Sequence, residues 1–199
     1  MRFPVCLIAI VLFSCGHTDH KQTTAAQDTT VVKTDTSHLA TTPPADTAKI
    51  PSSMAMEVNR QLQAKFPNQW TVLTDSIAQW PKDEFDYFIA AKRKLDTDYP
   101  YIAKGDFNAD GKADWAALVV NPKRDKYRIA IMRDSTRLII WEEDVQGAAI
   151  TANPKQDIGS IDGEVAKIKS ESINVEFFEK SSWVLYWTGS SFKKIWTGD

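Results

Sequence analysis

Apolar residues recur every fourth position at Met54, Val58, Leu62 and Phe66, with Glu57, Asn59, Arg60, Gln63 and Lys65 between them. That spacing is one face of an amphipathic helix. Serines precede it and Pro67 follows, so the pattern predicts a helix over 53–65. A short extended stretch is expected over 69–73. Pro81, followed by Asp83 and Glu84, opens a second predicted helix whose buried face is Phe85, Phe88, Ile89 and Ala91, and Lys92, Arg93 and Lys94 suit its C-terminal end. Beyond Asp98 the pattern turns to short runs rich in β-branched and aromatic residues, separated by turn formers. Strands are predicted over 101–104, 114–121, 127–133, 137–142, 164–170, 173–179, 183–188 and 192–196, the last two joined through Thr188-Gly189-Ser190-Ser191 as a hairpin. Helices first and strands afterwards indicate an α+β domain over 53–199, two N-terminal helices packed on a mainly antiparallel sheet.

The stretch before this domain has a different pattern. Arg2 precedes an apolar run from Val5 to Phe13, and the small residue Ser14 stands before Cys15. This is the layout of an export signal over 1–14, and the run is far short of the ~20 residues that a spanning helix needs. Leu12-Phe13-Ser14-Cys15 resembles the lipobox of bacterial lipoproteins. The resemblance implies diacylglyceryl on the Cys15 sulfur and an acyl group on the new amino terminus, and several buried chains at ~0.8 kcal/mol per CH2 would hold the protein on a bilayer. A plain secretory peptide would leave Cys15 a free thiol instead. Gly16, where some lipoproteins carry an acidic retention signal, favours the outer membrane. Residues 16–52 contain ten threonines, Pro43, Pro44 and Pro51, and no aromatic residue; residues 15–52 therefore read as a lipidated cysteine and a flexible tether, with an end-to-end distance of about 30–35 Å.

Composition narrows the chemistry. Cys6 would leave with the signal, so no intramolecular disulfide is available. All seven tryptophans fall in the folded part, whereas His17, His20 and His38, the only histidines, precede it. Nucleophilic triads, Cys–His dyads and His- or Cys-ligated zinc are excluded from a domain with neither residue. A formal charge of -2 argues against nucleic acid as a partner. Chemistry through paired carboxylates stays open, but the acidic residues are scattered and no spacing selects a pair. The leading expectation is thus a non-enzymatic module; the alternative is a carboxylate-dependent enzyme or enzyme regulator acting on envelope or imported polysaccharide.

One motif has the form of a site. Gly105-Asp106-Phe107-Asn108-Ala109-Asp110-Gly111-Lys112-Ala113-Asp114 sets oxygen side chains at alternate positions, then a glycine, then a further carboxylate. With Asp106 as position one, Asn108 and Asp110 are three and five, the Lys112 carbonyl is seven and Asp114 is nine, while Gly111 permits a sharp turn; calcium suits such a loop better than magnesium. A solvated acidic turn would use the same side chains only to cap backbone amides. Position twelve is Ala117 and an apolar strand follows, unlike an EF-hand. The stretch from Gly105 to Val120 resembles the calcium loop of FG-GAP or VCBS repeats, which implies Asp106, Asn108, Asp110, Lys112 and Asp114 as ligands. The order of elements around it is similar to small single-loop lipoproteins of Bacteroidetes-like bacteria. Trp183 and Trp187 share one strand face and Trp196 lies across the hairpin, so these rings form either core or a candidate surface for an envelope protein or glycan.

Overall fold

The computed structural model describes residues 52–198. The predicted signal over 1–14, Cys15 and the tether up to residue 51 lie outside the described residues. The domain is mostly antiparallel β-sheet with a few short helices.

Helix α1, Ser53–Lys65, starts where the Ser52 hydroxyl accepts a hydrogen bond from the Ala55 amide at 3.0 Å, the usual role of serine at an N-cap. It buries Val58 and Leu62. Its polar side chains dock it: Asn59 Oδ1 accepts from the Val72 amide at 2.9 Å, and Gln61 Oε1 from the Trp115 indole at 3.0 Å. After β1, Thr71–Val72, comes the short α2, Asp75–Ala78. The predicted second helix is divided: α3, Lys82–Glu84, passes into a π-helical turn, Phe85–Ile89, and then α4, Ala90–Arg93. An inserted wider turn shifts the periodicity that the sequence pattern assumed.

The larger sheet is built around β3, Asp114–Val120, all seven residues of which are buried. One edge of β3 pairs with β2, Ile102–Gly105, near its start and with β1 near its end; the other pairs with β4, Tyr127–Arg133, which pairs in turn with β5, Arg137–Trp141. The second sheet has the order β11-β10-β9-β6, formed by β6, Ala148–Asn153, β9, Ser172–Phe177, β10, Ser182–Trp187, and β11, Phe192–Gly198. The strand expected over 164–170 is reduced to β8, Val165–Ala166, paired with β7, Ile158–Gly159. No strand was expected over 148–153.

One core draws on α1 and both sheets, from Val58 and Leu62 through Leu118 and Ile131 to Ile150, Val175 and Leu185. A smaller cluster of Ile158, Ile168, Val184 and Ile195 lies on the other side of the second sheet. In β10, Trp183 and Leu185 enter the main core while Val184 enters the smaller one. A strand covered on both faces reads as a continuous apolar run.

Candidate metal centre

The acidic motif forms the connection of the β2–β3 hairpin, closed by the pairing of Gly105 with Asp114. Two residues fix its base. Phe107 is fully buried, and Glu171, just before β9, accepts from the Asp106 amide at 2.6 Å while its own amide donates to the Asp106 carbonyl at 3.1 Å. A Cβ at position 105 would stand 2.8 Å from the Phe107 ring and 2.9 Å from Glu171 Oε2, so the close approach of these groups requires glycine there. Ala109 and Gly111, with φ of 61° and 81°, turn the chain sharply.

Inside this frame the oxygens gather on backbone amides. Asp106 Oδ1 and Asn108 Oδ1 both accept from the Asp110 amide, at 3.1 and 3.0 Å; Asp106 Oδ2 accepts from Gly111 at 3.0 Å and Asp110 Oδ1 from Lys112 at 2.8 Å. Asp114 is 3% exposed and works as a strut, its two oxygens accepting from the amides of Phe107 and Asp134, each at 3.1 Å. Asp134, in the β4–β5 turn, also accepts from the Asn108 side-chain amide. Asp134 and Glu171 are therefore part of the region although the local motif gave no sign of them.

The electrostatics are uneven. Burial pushes the Asp114 carboxyl up to about 6, against the pull of the two amide bonds and helped by the negative charges of Asp110 and Asp106. Asp110 is held below its ordinary range, first by a hydrogen bond with the Asp134 side chain and then by the Lys112 amide. Among the described residues, however, no group of three or more His, Cys, Asp or Glu side chains is arranged to hold a metal ion. The available donors are all oxygens, including Asn108 and backbone carbonyls that lie outside that set, and an all-oxygen loop fits a hard cation.

The three tryptophans differ in exposure, although Trp183 and Trp196 are cross-strand partners. Trp183 is 1% exposed, because β10 is covered on both faces, and so takes the core place of the two that the sequence allowed. Trp187 is partly buried, its ring 5.2 Å from that of Phe192 with the Arg133 guanidinium 4.2 Å above it. Trp196 is 39% exposed and lies under the Lys194 ammonium at 4.3 Å. Comparison of the chain with protein-family models, curated proteins and solved structures finds no match. Among the described residues no helix is long and apolar enough to cross a membrane.

Proposed function

We propose that this chain is a non-enzymatic, calcium-binding lipoprotein of the cell envelope, anchored through Cys15 and favouring the outer membrane, with a domain that serves as a binding module. In this reading α1 and the helical segment over 82–93 brace the sheets, and calcium takes oxygens of Asp106, Asn108, Asp110 and Asp114 with the Lys112 carbonyl. The supporting observation is the β2–β3 connection itself, which gathers oxygen side chains of Asp106, Asn108 and Asp110 in one tight turn beside the buried Asp114, an acid with no cationic side-chain partner among the described residues; their amide bonds are also those of a plain acidic turn, and the melting test below separates the two. Calcium would displace amide bonds of modest net strength and neutralise the repulsion.

The test is the melting temperature of the full chain in calcium, magnesium and chelator, alongside Asp110→Ala. A ligand that binds only the folded state stabilises it by about 2.7 kcal/mol at a hundred times its Kd. The expected outcome is a calcium-selective rise of several degrees that Asp110→Ala abolishes; an equal melting temperature in calcium and chelator would refute the metal site. For the anchor, Cys15→Ala is expected to move the protein from the membrane fraction to the soluble one.

A further inference from the structure

Three segments distant in sequence meet at a cleft of about 340 Å³ lined by Glu84, Gln146, Gly147, Phe177, Phe178 and Lys180, a volume at the lower end for small-molecule sites. It shares no residue with the acidic loop. Beside it stands Tyr87, 80% exposed, its ring edge-on to Phe178 with centroids 6.0 Å apart. Phe178 contacts Phe88 at 5.6 Å, and Phe88 contacts the buried Tyr99 at 6.4 Å. Tyr87 is thus the outer end of a row of rings anchored in the domain. It belongs to the π-helical turn Phe85–Ile89, and such turns are uncommon and concentrate at functional sites.

The polar fringe of the cleft is free. Among the described residues the side chains of Glu84, Gln146 and Lys180 make no hydrogen bond or ion pair, whereas the neighbouring Lys92 is engaged by Glu176 at 2.5 Å. The cleft therefore offers an aromatic platform, one anionic acceptor, one cationic donor and an amide that does both. A pyranose ring matches this combination, with an apolar C–H face and a rim of hydroxyls that donate and accept. A simple anion would meet Glu84 and a simple cation Lys180.

We propose that this cleft binds a carbohydrate, the sugar ring lying against Tyr87 and Phe178 while its hydroxyls donate to Glu84 and accept from Lys180 and Gln146. The proposal rests on the binding-module reading for its role and not on the calcium loop for its geometry. Its test is calorimetric titration of the full chain in detergent micelles with cellohexaose, maltohexaose and chitohexaose, in calcium and in chelator. Tyr87→Ala removes a ring that stands in solvent, and Glu84→Gln keeps its shape; unchanged melting temperatures would show that both variants fold. The expected result is saturable binding of at least one oligosaccharide, roughly tenfold weaker in Tyr87→Ala, weaker in Glu84→Gln and unaffected by chelator. Binding of none of the three, or equal affinity in both variants, overturns the proposal. Binding lost in chelator also overturns it and leaves the calcium reading intact, while binding that persists without any calcium-dependent melting shift supports the cleft and removes the loop.

Discussion

Two buried acids stand at opposite ends of strand β2 and are treated in opposite ways. Asp98, before the strand, is within 2.5 Å of the Lys104 ammonium; burial pushes its carboxyl up, but the bonds from Lys104 and Ser52 outweigh that and hold it below its ordinary range. Asp114, across the hairpin from Gly105, has amides but, among the described residues, no cationic side chain, and burial raises it to about 6. Burial alone does not decide the state of a carboxylate; its counter-ion does. The fold supplies one at Asp98 through Lys104, while Asp114 is held by backbone amides.

The largest test removes the wall of the second site. Phe107→Ala deletes a fully buried ring that packs beside Gly105 and is expected to cost about 3–5 kcal/mol in denaturant unfolding. If it costs under about 1 kcal/mol, the loop is not fixed by its apolar plug. The pH dependence in chelator comes next. A carboxyl raised to about 6 in the folded state makes that state bind a proton more tightly than the unfolded chain, so Asp114 costs stability above pH 6, and the cost is relieved as pH falls toward about 4. Asp98, lowered in the folded state, contributes stability above about pH 4 that is lost as pH falls through its folded pKa. The melting temperature in chelator should therefore rise between pH 7 and 5 and fall below pH 4, and calcium should flatten the upper limb. A monotonic fall from pH 7 would contradict the assignment at Asp114. The smallest effect is expected from Lys104→Met, about 1–2 kcal/mol, because the lysine is half exposed and its pair is only partly desolvated. A neutral result would mean that water replaces Lys104 at Asp98.

The parts of the fold legible in the sequence are those with a strong local period. The four-residue apolar spacing of α1, the apolar run of β3 and the Thr188–Ser191 turn were each visible without tertiary information. Strand β6 was not, because Ala148, Ala149 and Ala152 have weak strand preference and are held there by pairing with β9. The π-helical turn was equally hidden, since it changes a period that sequence patterns take as constant. At the loop the alternate oxygens were local and could be seen, whereas Asp134 and Glu171 reach it only through the β4–β5 turn and the approach of β9. The pattern left core and surface both open for Trp183, and the covering of both faces of β10 decides for core, while the cleft beside Tyr87 joins segments with no common motif.

The connectivity also sets an order of assembly. Strands β2 and β3 are joined directly through the acidic connection, and β3–β4, β4–β5, β9–β10 and β10–β11 are likewise neighbours along the chain. Strand β6 must instead wait for residues 154–171, with the β7–β8 ribbon among them, before it can meet β9. Closing that longer loop costs chain entropy that the direct hairpins do not. A polypeptide emerging from its amino-terminal end therefore has the hairpins of the first sheet available before the second sheet can close, whereas the hold of Glu171 on the Asp106 backbone waits for the residues that lead into β9.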